Sequence, residues 1–221
     1  MGRISRVLAL AIVALLPVRA LAQSPTPAPA PAGVPADAAA LLSKAAGSYA
    51  DGNAHAAAFT QIYTPAGFAT SKRESGTVWI QSPQRLRFDY QAPEAKVFTY
   101  DAGEGRFFSP EDKQLTVRKL SADEQARLPL LFLKKPDELG ERYAIQLDGS
   151  KGVLLKPKAS DADFSWLKLA VSPEGAVDGL SYEDPSGNRT EFRFEGWKSE
   201  KPRPSADYRI TGPKGTRIVE N

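Results

Sequence analysis

The chain has 221 residues, with 29 Lys and Arg against 26 Asp and Glu, one histidine and no cysteine. The lack of cysteine excludes disulfides, thiolate nucleophiles and thiolate metal ligands. It also excludes a lipid anchor of the bacterial lipoprotein kind, which needs a cysteine at the cleavage site. No cluster of Lys and Arg interleaved with aromatics is present, so nucleic acid is not expected as a partner.

Residues 1–22 carry Arg3 and Arg6, then an apolar run over 7–16, then Ala20-Leu21-Ala22, the small-x-small form of a secretory cleavage site. They are expected to be a cleaved signal peptide. The apolar run is well short of the roughly 20 residues that span a bilayer, and Arg19 interrupts its exit. Cleavage removes three arginines and no acid, leaving 26 basic residues against 26 acidic ones, so the mature protein is formally neutral. Residues 23–35, rich in Pro and Ala, favour extended polyproline conformations and read as a tether. Residues 36–221 are expected to form one domain with a substantial core.

Within that domain, 37–49 is rich in Ala and Leu, starts near an Asp and is followed by Gly52, the punctuation of one helix. The pattern then switches to short β-like runs at 56–63, 72–81, 85–90, 96–101, 106–109 and 114–119, separated by Pro83, Pro93, Gly103 and Pro110. In the 85–90 run, Leu86, Phe88 and Tyr90 alternate with Arg85, Arg87 and Asp89, which places bulky apolar groups on one face and charges on the other. At 121–124 the motif S-A-D-E has the form of a capping box. It opens an insertion over 121–139 that contains L-P-L-L-F-L and reads as a short helical segment needing an apolar surface to cover. Strand-like runs resume at 143–147, 152–156, 166–171, 177–183 and 189–197, and Phe192 and Phe194 alternate with charges in the last of them. The expected fold is mainly β, an unclosed antiparallel β-barrel of about 11 strands with a helical lid over its apolar face.

Reaction chemistry is not assembled by these residues, so no enzyme activity, cofactor or metal is expected. His55, the one histidine, is read as a solvent-facing or turn residue. Ser165 and Lys168 match S-x-x-K, but three residues apart in a strand they point to opposite faces.

Several motifs, in order along nearly the whole domain, resemble the LolA family of periplasmic carriers that move lipoproteins from the inner to the outer membrane. They are F-T-Q at 59–61, G-T-V-W-I-x-x-P at 76–83, L-R-F-x-Y-x-x-P at 86–93, L-P-L-L at 128–131, L-K-P-K-A at 155–159, a D-x-x-G-N-x-T turn ending at Thr190, and Y-x-I-T-x-P-x-G at 208–215. The resemblance implies acyl-chain cargo, a soluble and monomeric periplasmic carrier, an inner-membrane LolCDE-type ABC transporter that loads it and an outer-membrane LolB-like receptor that empties it. Alternation and resemblance together nominate Phe59, Trp79, Leu86, Phe88, Tyr90, Leu130 and Phe132 for the acyl-chain cavity and lid. Where the family usually has an arginine that latches the lid, this chain has Ser82, so Arg85 or Arg87 takes over the latch, or the lid is held more loosely. The alternative reading is a carrier or sensor of the same fold for another amphiphile, such as a glycolipid or hopanoid, rather than lipoproteins.

Overall fold

A computed structural model describes residues 34–81, 85–121, 138–160 and 162–220, together with Gln125 and Leu130. The expected signal peptide, nearly all of the tether, Ser82, Phe132 and most of the expected lid lie outside the described residues.

Helix α1, Ala36–Gly47, follows Pro35, with Asp37 in its first turn and Lys44 in its last, charges that suit the helix dipole. Ala38, Leu42 and Ala45 are buried on one stripe, and the helix lies against strands β7 and β8 defined below. The chain then forms β1 (Ala54–Thr64), β2 (Lys72–Gln81), β3 (Arg85–Ala92), β4 (Lys96–Asp101), β5 (Glu104–Ser109) and β6 (Gln114–Lys119). A short helix α2 (Leu139–Arg142) leads into β7 (Tyr143–Asp148), β8 (Gly152–Pro157), β9 (Trp166–Val171), β10 (Val177–Glu183) and β11 (Arg189–Glu200). A 3₁₀ turn at Ser205–Asp207 precedes β12 (Arg217–Glu220).

All twelve strands belong to one sheet, in the order β12-β6-β5-β4-β3-β2-β1-β11-β10-β9-β8-β7. The two end strands do not meet, so the sheet is unclosed, as expected from the sequence. Every pairing is antiparallel except that of β12 with β6. β12 is the twelfth strand that the alternation did not show.

One face carries the core. Val78, Leu86, Val153, Leu155, Leu169, Val177 and Leu180 are buried there with the apolar stripe of α1, and full burial of one such side chain is worth about 1.5–3 kcal/mol. Gly76 is fixed by a close approach: a Cβ at that position would sit 1.9 Å from the Asp89 carbonyl oxygen, where the β2–β3 register shifts between Ser75 and Gly76.

Candidate functional site

Cross-strand partners share a face, so register defines the covered surface row by row. His55, Ile80, Leu86 and Tyr100 form one row across β1 to β4, and Ala57, Val78, Phe88 and Phe98 form the next. Phe59, Gly76 and Tyr90 form the third. Leu86, Phe59, Phe88 and Tyr90 are all buried in one apolar cluster, and Leu130 from the 121–139 insertion is buried in the same cluster. Phe59 is edge-on to Phe88 at 5.1 Å and to Tyr90 at 5.0 Å between ring centroids. Offset and edge-on geometries of this kind add about 0.5–1.5 kcal/mol per pair beyond area burial.

Phe192 and Phe194 of β11 extend the cluster and were not among the nominated residues. Phe192 lies 5.7 Å from Phe88 and stacks on Phe194 at 6.0 Å. Phe194 in turn meets Trp197 at 5.7 Å, and Trp197 meets Tyr49 at 5.2 Å. The result is an aromatic belt from β3 across β1 and β11 to the segment that follows α1. Its signal was in the sequence, in the alternation of Phe192 and Phe194 with Glu191, Arg193 and Glu195.

Trp79 is placed elsewhere. It pairs with Arg87 rather than with the Val78–Phe88 row, and it lies on the opposite face, 4.8 Å from the Arg203 guanidinium and 5.9 Å from that of Arg87. In V-W-I all three residues are apolar, so composition alone cannot say which of them faces in.

The two arginine latch candidates also lie on that outer face. Arg85 donates to Asp101 at 3.1 Å and to Ser205, while Arg87 donates to Asp89 at 2.7 Å and to the Asp207 carbonyl at 2.6 Å. Together with the Arg106 bond to the Ile210 carbonyl at 2.8 Å and the Arg209 bond to Asp101 at 2.6 Å, they brace the 203–210 segment against the outside of the sheet. The described contact between the insertion and the wall comes instead from Tyr100, whose hydroxyl donates to Gln125 Oε1 at 2.9 Å. Gln125 Nε2 donates to the Leu120 carbonyl at 2.9 Å.

His55 corrects the sequence reading. It is buried in β1 on the covered side, its Nε2 lies 2.8 Å from Asp51 Oδ1, and its ring is edge-on to Tyr49 at 5.3 Å. The hydrogen bond with His55 holds the Asp51 carboxyl below its ordinary range. The two are four positions apart, and the bend at 51–53 brings them together. Tyr49 also fixes α1 to the sheet, since its hydroxyl accepts from the Val177 amide at 2.9 Å while Trp197 donates to the Val177 carbonyl at 2.8 Å.

Beyond Phe59 the covered face turns polar. Glu74 and Lys96 are both buried and pair at 2.7 Å, and the Lys96 ammonium lies 4.5 Å from the Tyr90 ring centroid. The Tyr90 hydroxyl donates to Gln61 Oε1 at 2.7 Å. Burial, and secondly the Glu74 charge, push that phenol far above its ordinary value.

Ser165 and Lys168 diverge, as the strand geometry requires: the Ser165 hydroxyl donates to the Asp184 carbonyl, and Lys168 pairs with Asp148 at 3.1 Å. An unclosed sheet with one apolar covered face and one polar braced face is the architecture of a half-barrel carrier. The chain matches the family model described as outer membrane lipoprotein carrier protein LolA over residues 51–211, and it belongs to that family. An outer-membrane lipoprotein carrier protein of Xanthomonas campestris pv. campestris (strain B100) is 30% identical over 167 residues, covering 73% of this chain and 79% of the relative. Its counterpart in Chromohalobacter salexigens is 27% identical over 168 residues, covering 75% and 80%. Among solved structures, an uncharacterized conserved protein from Thermus thermophilus shares the fold with a TM-score of 0.51 at 10% identity, covering 82% of this chain and 98% of that one. The family is one of carriers rather than enzymes.

Proposed function

We propose that this protein carries lipoproteins across the periplasm, holding the acyl chains released from the inner membrane on its covered face and delivering them to the outer membrane. The observation that carries this reading is the continuous buried aromatic face, Phe59, Phe88, Tyr90, Phe192 and Phe194, on the unclosed sheet of a chain in the LolA family. The names of its relatives support lipoprotein as the cargo. In this reading residues 1–22 direct export and are removed, 23–35 form a tether, and 36–221 act as a monomeric carrier. A LolCDE-type transporter loads it and a LolB-like receptor unloads it. Phe59, Leu86, Phe88, Tyr90, Leu130 and Phe132 line the acyl site, and Trp79 does not.

The physical need is large. Exposure costs about 0.8 kcal/mol per methylene, so one chain of about 14 methylenes costs about 11 kcal/mol in water. Among the described residues a cavity of about 170 Å³ lies beside Tyr143 and Phe164, below the roughly 300 Å³ at which small-molecule sites begin, and the aromatics of the covered face pack against one another. In this reading an acyl chain enters by opening these contacts among the aromatics and replacing them with its own. The net affinity is the difference between new and old contacts, which keeps binding weak enough for transfer to a receptor with a standing cavity. Among the described residues, this opening breaks the Tyr100–Gln125 hydrogen bond, worth about 1 kcal/mol.

The test is to add purified protein spanning residues 23–221 to spheroplasts and analyse the soluble fraction by mass spectrometry. Acylated lipoproteins released in complex with the protein are the expected result. Their absence, with another lipid bound instead, overturns the cargo.

A further inference from the structure

The Glu74–Lys96 pair is not explained by stability. A buried ion pair recovers its desolvation penalty only with excellent geometry, and apolar side chains of similar volume generally serve a core as well or better. Here the pair sits on the covered face, next to the aromatic belt. Gln61 of β1 is the register partner of Glu74 in β2, and Tyr90 of β3 is the partner of Lys96 in β4. These four residues occupy adjacent strands, and the same Tyr90 ring touches Phe59 at one side and the Lys96 ammonium at the other. The acyl-lined surface thus ends in a fixed group of hydrogen-bonding side chains.

We infer that Gln61, Glu74, Tyr90 and Lys96 form a polar end to the acyl site that takes the uncharged carbonyl junction of an amphiphile, an ester or amide, in preference to a free carboxylate. This rests on the reading of the covered face as an acyl site. Inside the cover the charges balance, Lys96 against Glu74. The third charge, Lys72, pairs with Glu74 at 3.2 Å with its side chain 37% exposed, so it remains partly solvated and is a weaker partner than the buried Lys96. A neutral carbonyl accepts a hydrogen bond from the ammonium or the Gln61 amide without disturbing that balance. A carboxylate brought to the same place lies beside Glu74, a like charge in a poorly solvated setting, where repulsion is strong. Cargo joined to its acyl chains through esters and amides is accepted, and free fatty acids, abundant wherever lipids are hydrolysed, are rejected.

The experiment uses the protein of residues 23–221 and displacement of a fluorescent apolar dye at pH 7.5 by monopalmitoylglycerol and by palmitate, which share an acyl chain and differ in charge. Wild type is expected to bind the glyceride at least tenfold more tightly. Glu74→Gln leaves Lys96 unbalanced and is expected to tighten palmitate binding at least tenfold, abolishing or inverting the preference. The paired variant Glu74→Gln/Lys96→Met, which keeps side-chain volume and removes both charges, is expected to fold and to bind the two ligands about equally. A preference absent in wild type, or unchanged by Glu74→Gln and by the paired variant, overturns the assignment of the polar end while leaving the acyl site standing. Failure of both ligands to displace the dye from wild type overturns the acyl site itself, and the polar end with it.

Discussion

Strand β3 carries two kinds of construction back to back. On one face Leu86, Phe88 and the Tyr90 ring meet an aromatic belt through apolar contacts, while the Tyr90 hydroxyl bonds to Gln61 at its edge. On the other, Arg85 and Arg87 hold Asp101, Asp89, Ser205 and the Asp207 carbonyl through directional, charge-assisted bonds. Dispersion and burial are indifferent to whether the neighbouring carbon belongs to the protein or to a ligand, so in the proposed reading the first face exchanges its own contacts for those of cargo. The guanidinium bonds are specific to their acceptors, so the second face is held in one geometry. The sheet is packed by burial on one side and braced by directional bonds on the other.

The strongest way to break this contrast is Leu86→Glu. Leu86 is 1% exposed, and an unpaired charge in its place is expected to cost about 4 kcal/mol, read by urea denaturation, together with loss of lipoprotein release. A cost near zero would show that the face is wet and loosely packed.

Alkaline titration probes the anchoring of α1 over the covered face. Burial raises the Tyr49 hydroxyl from 10.0 to about 12, with the Val177 amide opposing and Asp178 adding. A folded-state value above the unfolded one means that this contribution is fully present below pH 10 and is lost as pH rises through about 12. Across that window stability is expected to fall by about 2–3 kcal/mol on account of Tyr49. Tyr49→Phe should flatten that part of a melting-temperature profile taken against pH, and an unchanged slope would place the titration elsewhere.

On the braced face, Asp101 is 4% exposed and accepts from both Arg85 and Arg209. Asp101→Asn is expected to cost about 2 kcal/mol and to loosen residues 203–210, seen as faster amide hydrogen exchange there with acyl binding unchanged. Loss of acyl binding in this variant would show that the two faces are coupled. The smallest effect belongs to Tyr100→Phe, about 1 kcal/mol. It should leave the fold intact and speed both uptake and release of a fluorescent acyl probe, and slower exchange would remove Tyr100 from the opening step.

The strands were legible because most of them alternate cleanly. Leu86, Phe88 and Tyr90 could be set on one face from the sequence because they alternate with Arg85, Arg87 and Asp89. Trp79 could not, with Val78 and Ile80 on either side. β12 escaped because four residues, R-I-V-E, hold too few alternations, and its Ile218 is 57% exposed. Glu74 and Lys96 escaped for a different reason, since a charged side chain reads as surface until its partner two strands away is known. His55 was misread because Asp51, its partner, belongs to a turn whose shape brings the two together. The Tyr100–Gln125 contact carried no pattern at all, being one polar side chain reaching a tyrosine on β4.

The position of β1 in the sheet has a consequence for how the protein is made. The first strand is flanked by the second and by the eleventh, and at the end of that seam Asn53 bonds to Ser199, 146 positions along the chain. The runs β2–β6 and β7–β11 join neighbours in sequence and can zip locally, whereas the seam between them must wait for β11, at residues 189–200 of 221, and then close a long loop. A chain that emerges from its N-terminus therefore keeps its central strand unpaired on one side until β11 is present. Premature truncation before residue 189 removes the seam entirely and leaves two sheets with no common middle.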